Sequence, residues 1–278
     1  MILNKFLISS ENILITNFVD LKVSLNLMYN SIREIDENSF DDLVELKFLS
    51  LQNNDLETID RNWFKNNKKI EILDFSQNGI KINDPQIFSS LSNLNALLLS
   101  QCFYIKENIH ILKDLTNLRY LDLRVNEIEN FNNEILSSLP SLQELALEYS
   151  TIGELSENHF VNNKKLKKLN LLGNQIKVQP GTLNGLKELE EIWLSNIKSA
   201  EIFQSLFRDT KNLKILKIGG GEFQRLTSAD IGFLTKLEKM QSNIRFFLIL
   251  IVSYCFFLEL FSCAHAYSFI YALISIGF

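Results

Sequence analysis

The chain has 278 residues, 46% of them hydrophobic, with 33 acidic side chains against 28 basic ones and a formal net charge of −5. That length admits one or two domains, and the negative balance disfavours a nucleic-acid partner on electrostatic grounds. With three prolines in all and no Gly/Ser-rich linker, nothing divides the chain into separate units.

Residues 1–20 are apolar in part, but Asn4, Lys5, Glu11 and Asn12 interrupt them. A secretory segment needs an unbroken apolar run of about 7–15 residues, so none is read here. The segment is expected to be an improvised cap or a truncated repeat.

Residues 21–244 carry one pattern. It reads LKFLSLQNNDL from Leu46, IEILDFSQNGI from Ile70, LRYLDLRVNEI from Leu118 and LKKLNLLGNQI from Leu166. Units start at Lys22, Leu46, Ile70, Leu94, Leu118, Leu142, Leu166, Leu189, Leu213 and Leu237. Every step is 24 residues except one of 23, from Leu166 to Leu189. A period of this size with this pattern predicts a solenoid of stacked coils. Positions four and six (Leu49 and Leu51, Leu121 and Leu123) should point inward from a short strand, because strand side chains alternate. Position nine holds Asn30, Asn54, Asn78, Asn126 and Asn174, with Cys102 and Ser150 in the same place in two other units. An amide carries donors and an acceptor, so these Asn residues are expected to form a ladder that satisfies backbone groups where each coil leaves its strand. Eighteen residues from each start lies an apolar residue such as Phe40, Phe64, Phe88 or Phe160, which should close the convex side.

The full unit resembles the 24-residue "typical" leucine-rich repeat, found in animal cell-surface and secreted proteins such as the ectodomains of Toll-like receptors and chaoptin. The resemblance implies an α/β fold: a leucine-rich repeat solenoid, or horseshoe, with about nine parallel strands on the concave face. Secreted members often carry cysteine-rich caps. Here Cys102, Cys255 and Cys263 form no such cluster and no zinc spacing.

Chemistry is hard to place. His110, His159 and His265 lie apart, each without a nucleophile or carboxylate at motif spacing. Gly219, Gly220 and Gly221 are not followed by the Lys-Ser/Thr of a phosphate loop. No catalytic residue, metal site or cofactor is expected, and basic clusters such as Lys164, Lys165, Lys167 and Lys168 read as local solvated charge. What remains is the concave face, where positions three, five, seven and eight should be presented to solvent. Phe48, Ile72, Leu98 and Tyr120 are predicted to form one apolar patch there, with Tyr149 and Trp193 as further binding candidates. Glu144, Glu148 and Glu191 would make an acidic zone beside Trp193.

The last segment, 245–278, changes character. From Phe246 onward there is no Lys, Arg, Asn, Asp, Gln or Pro, and Glu259 is the one acidic residue. Twelve Phe, Leu, Ile or Val in FFLILIVSYCFFLELFSCA, each favouring insertion by about 0.3–0.6 kcal/mol, outweigh one acid costing about 3. Residues 246–278 are therefore expected to reach a membrane. A read-through tail and a cleaved lipid-anchor signal are the alternatives. Lys236, Lys239 and Arg245 before the tail, and the lack of any N-x-S/T sequon, place the repeats inside; the family resemblance places them outside. The chain thus reads as a non-catalytic protein-interaction module, either a membrane-held receptor or adhesion protein or a soluble intracellular adaptor, with the protein ligand and the oligomeric state left open.

Overall fold

The computed structural model describes residues 6–8, 23–82, 84–102, 109–128, 131–197, 200–220 and 228–242. The apolar tail, Gly221 and most of the first twenty residues lie outside this set.

Each coil contributes one short strand, and the strands stack as a parallel sheet in chain order. Ser24–Asn26, Phe48–Ser50, Ile72–Asp74, Ala96–Leu98, Tyr120–Asp122, Glu144–Ala146, Lys168–Asn170, Glu191–Ser195, Ile215–Gly219 and Lys239–Ser242 make the ten members. The expectation was about nine; the last coil still pairs, Ile215 opposite Lys239 and Leu216 opposite Met240. Register follows the sequence period throughout, so Phe48 faces Ile72, Ile72 faces Ala96 and Ala96 faces Tyr120. At the short unit Lys168 faces Glu191, and the sheet does not slip. The missing residue is absorbed just after the strand. Lys177 pairs with Glu154 and Val178 with Leu155 in a small second sheet, and Lys177 N–H donates to Gly153 O at 2.9 Å. Phe6–Ile8 runs antiparallel to Ile32–Ile35.

The core is one contiguous stack. Leu49, Leu51, Leu73, Phe75, Leu121 and Leu123 are fully buried from the sheet side, and Phe40, Phe64, Phe88, Phe160 and Phe207 from the convex side. Ring packs on ring along the axis: Phe40 to Trp63 at 6.2 Å, Trp63 to Phe64 at 6.3 Å, Phe64 to Phe75 at 6.4 Å. These edge-on geometries add to area burial. The convex return uses single turns of helix, capped where the sequence supplies a cap. Asn132 accepts from Glu134 N–H and Ile135 N–H to start Asn133–Ser137, and Asp60 does the same for Arg61–Phe64.

Behind the strand exits, position nine links coil to coil. Asn54 Nδ2 donates to Leu51 O in its own coil and to Leu27 O in the preceding one, both at 2.9 Å. Its Oδ1 accepts from Asn30 N–H and Ile32 N–H. Asn78, Asn126 and Asn174 repeat the two donations. Cys102 keeps the inter-coil contact with a thiol to Phe75 O at 3.3 Å, and burial pushes that thiol up to about 12. Ser150 keeps it with a hydroxyl to Leu123 O at 2.9 Å, while its own carbonyl accepts Ile128 N–H. Ile197 takes the position in the next coil and is buried, so the run of polar side chains at this position breaks after Asn174.

A second polar link lies on the convex side and was not foreseen. Asn67 and Asn163 occupy a position filled by Leu91, Leu115 and Leu139 in other coils, and both are fully buried. Asn67 Nδ2 donates to Phe40 O and Leu43 O; Asn163 Nδ2 donates to Leu136 O and Leu139 O. In the same two coils sit the buried Trp63 and His159, four residues earlier.

Candidate functional site

Two rows of side chains cross the concave sheet. Position three runs Phe48, Ile72, Ala96, Tyr120, Glu144, Lys168, Glu191 and Ile215 in register. Phe48 and Tyr120 are half-buried, and Ile72 is 38% exposed. Position five differs from what the strand alternation predicts. Ser50, Asp74 and Asp122 are buried, Asp122 at 1% exposure. Both carboxylates are tied to the chain leaving the strand. Ser76 N–H donates to Asp74 Oδ1 at 2.9 Å, and Arg124 N–H donates to Asp122 Oδ1 at 3.0 Å.

This splits the predicted apolar patch. Phe48, Ile72 and Tyr120 share one row, with Ala96 as a low point between the last two. Leu98 lies in the other row, between Asp74 and Asp122. The apolar residues still occupy four consecutive strands, but as a row of three and a neighbour on the exit side.

Charge on the face is largely paired. Arg124 clamps the Asp122 carboxylate through Nε at 2.9 Å and Nη2 at 2.7 Å, and this hydrogen-bonded carboxylate raises the guanidinium further above its ordinary value. Glu148 lies 3.7 Å from the same guanidinium and accepts from Asn170 Nδ2. Lys168 Nζ meets Glu144 at 2.8 Å. Trp193 is half-buried, donates Nε1–H to Glu191 at 2.7 Å and carries Lys217 Nζ 3.4 Å from its ring centre. The acidic zone is thus spent on internal partners, and one indole face is occupied. Asp74 is the contrast. Among the described residues no Lys or Arg pairs with it, and burial pushes its carboxyl above the usual range despite the bonds from Ser76.

The exit edge presents Tyr29 and Tyr149, each 59% exposed and each with positive φ. Tyr149 lies over Gly173, where any Cβ would overlap the ring. Gly173, at φ 76°, therefore serves both the turn and the close approach. Asn30, Asn54, Asn78, Asn126 and Asn174 are buried behind this edge and present no surface.

Elsewhere the surface offers little enclosure. A shallow convex hollow of about 470 Å³ is lined by Glu157, Pro180, Asn184 and Arg208 among others. Another of about 350 Å³ lies along the strand-entry edge, lined by Lys47, Lys69, Glu71 and Arg119 among others. Among the described residues no group of His, Cys, Asp or Glu is arranged to hold a metal, and no helix is long and apolar enough to cross a membrane. His159 is 4% exposed, its Nδ1 3.3 Å from Ser156 Oγ, and burial drives it down to about 4.

A family profile described as leucine rich repeat matches residues 45–102 and 140–198. None of the curated proteins matches the sequence significantly. Among solved structures, TLR13 in complex with ssRNA13 superposes with a TM-score of 0.71 at 25% identity, over 79% of this chain and 32% of that one. A leucine-rich repeat protein of Leptospira interrogans gives 0.66 at 27%, over 79% and 60%. An internalin C2 of Listeria monocytogenes gives 0.56 at 22%, over 80% of each, and shares the fold alone. This chain thus spans 32% of the length of TLR13 and 60% of the Leptospira protein.

Proposed function

We propose that this chain, a leucine-rich repeat protein, is a non-catalytic module that binds a protein ligand on its concave sheet. The observation that carries the reading is the row Phe48, Ile72 and Tyr120. Three large apolar side chains stand partly open to solvent on a sheet whose charges, Asp74 apart, are largely paired among themselves. Exposed aromatic and aliphatic anchors beside polar surface are what interface hot spots are made of. The buried carboxylate of Asp74 next to Ile72, with no cation of its own, adds an acceptor for a ligand's donor. Tyr149 and Trp193 extend the surface toward the C-terminal half, Trp193 with less to offer because Glu191 and Lys217 already engage it.

The same proposal holds the module at a membrane through residues 246–278, in the manner of a receptor or adhesion protein. The support is the composition of that segment, which is apolar over its whole length apart from Glu259. The opposing reading, a soluble intracellular adaptor, takes that segment as a read-through tail; the Lys236, Lys239 and Arg245 flank bears only on which side of a membrane the repeats would lie.

The test is affinity capture with the full chain, run in parallel with a Phe48→Ala/Ile72→Ala double variant and with Asn162→Ala on the convex side. A protein retained by the native chain and by Asn162→Ala but lost by the double variant supports concave binding. A protein retained equally by all three places recognition elsewhere.

A further inference from the structure

The edge where strands begin is chemically unlike the concave face. Position two of each coil lies on it, and a backbone ladder ties these residues together. Gln143 N–H donates to Arg119 O, Lys167 to Gln143, Glu190 to Lys167 and Lys214 to Glu190, at 2.7–2.8 Å. The residues just before each strand flank this ladder. Several of the acids here are consumed by lysines one coil away: Glu71 by Lys47 at 2.9 Å, Glu45 by Lys69 at 2.6 Å and Glu190 by Lys214 at 2.7 Å. Arg119, Lys164, Lys165, Lys167, Lys187 and Lys211 are all exposed, and among the described residues none of them has an ion-pair partner. In a chain of net charge −5, these six cations outnumber the unpaired acids beside them, of which Glu188 is exposed next to Lys187. Adjacent strands are about 4.8 Å apart, so Arg119 and Lys167, two steps apart, stand about 10 Å from each other along the axis.

We propose that this edge binds a sulfated polysaccharide lying along the solenoid axis. A band of cations without ion-pair partners, spread over successive coils along the axis, fits a linear polyanion, whose counterions are released on binding. Which polyanion is decided by what the edge lacks. Segments 162–168, 187–191 and 211–215 contain no aromatic residue, and Tyr120, next to Arg119, belongs to the row on the concave sheet, whereas sequence-tolerant binding of single-stranded nucleic acid uses aromatic platforms for its bases. The proposal is independent of the concave ligand, since it uses another surface.

The probe is a fluorescent heparin dodecasaccharide titrated into the full chain in mild detergent, with Lys164→Gln/Lys165→Gln/Lys167→Gln as the variant. Lys177→Gln, in the Lys177–Val178 strand of the small second sheet, is the control. Thermal melts accompany each, and all four positions are exposed. Native chain and control should bind alike, with affinity falling as salt rises. The triple variant should bind about tenfold more weakly or worse, with a shallower salt dependence. Chemically desulfated heparin should not bind. Equal affinity of the native chain and the triple variant would overturn the proposal. So would tighter binding of a charge-matched poly(U) RNA, which would make the edge a nucleic-acid surface. Binding of phosphatidylserine vesicles without binding of heparin would make it a membrane surface and would equally sink the polysaccharide.

Discussion

Lys217 Nζ sits 3.4 Å from the centre of the Trp193 ring, one strand away, while Trp193 Nε1–H is bound to Glu191. The largest aromatic on the concave sheet is therefore partnered from within the fold. Phe48 and Ile72, two smaller side chains in register on neighbouring strands, are not so covered. That contrast ranks the binding candidates.

For a ligand of the concave face, Phe48→Ala and Tyr120→Ala should each cost about 2 kcal/mol or more of binding free energy if they are hot spots. Trp193→Ala should cost less, because part of what it loses is the contact with Lys217. Isothermal titration against the captured ligand measures this order. Asn162→Ala is the control, since Asn132 caps a helix and its loss would disturb folding. A ranking led by Trp193 would shift the site to the C-terminal half.

Asn126→Ala removes two buried donations, to Leu99 O and Leu123 O, and the acceptor of Cys102 N–H. Each stranded group costs about 1–3 kcal/mol. Because each coil contacts only its neighbours, the loss should show in a calorimetric melt as a marked drop in Tm. Asn126→Asp keeps the acceptor but sets a buried carboxylate oxygen against the carbonyls of Leu99 and Leu123, and should be at least as destabilised at neutral pH. Unchanged melting in both variants would show that the polar ladder contributes no stability.

His159 should make the fold acid-sensitive in a defined window. In the unfolded chain it takes a proton near 6.5, whereas in the folded chain burial delays this to about 4. Protonation of the unfolded state then draws the equilibrium away from the fold as pH drops from about 6.5 to about 4, by some 3 kcal/mol at most. Above 6.5 the site adds no pH dependence. Urea unfolding of native protein and His159→Phe across this range gives the difference; parallel curves for the two would exclude His159 as its source. Phe suits the site, since Trp63 stands in the equivalent place and Phe131 and Phe160 flank His159.

Asp74 should behave in the opposite sense. Its folded-state carboxyl is raised by burial, so the ionised form penalises the fold above that value and the penalty fades as pH falls and the group protonates. Asp74→Asn, which can still accept from Ser76 N–H, should therefore be more stable than the native protein at neutral pH and lose that advantage in acid. Chemical denaturation at both pH values measures the sign. A destabilised Asp74→Asn at neutral pH would mean that the bonds from Ser50 and Ser76 to the charge outweigh its burial.

If residues 246–278 anchor the protein, the full chain should resist carbonate extraction from membranes, and a chain ending at Asn243 should be freely extracted. Full-length protein in the carbonate supernatant would remove the membrane half of the proposal.

The solenoid was legible from residues alone because its stabilising contacts recur with the sequence period. Leu49 packs as Leu73 and Leu121 do, so the positions of core, strand and turn are written repeatedly, and even the 23-residue unit keeps register. Phe88 and Phe160 could be assigned to the convex core for the same reason. What the sequence could not supply was any feature made by one coil acting on another through non-periodic residues. Asn67 and Asn163 look like ordinary polar loop residues until the coils stack and their amides meet the carbonyls of Phe40 and Leu136. Asp74 and Asp122 have the alternation of exposed residues, yet both are buried in the stacked sheet. That Leu98, at position five, lies in another row than Phe48, at position three, follows from the repeat, but not that two buried carboxylates, Asp74 and Asp122, flank it. The basic edge likewise exists only in three dimensions, because ion pairing across coils decides which of its lysines are left free. Periodicity determined the fold; side-chain neighbours 22 to 27 residues apart, fixed by stacking, decided its surface.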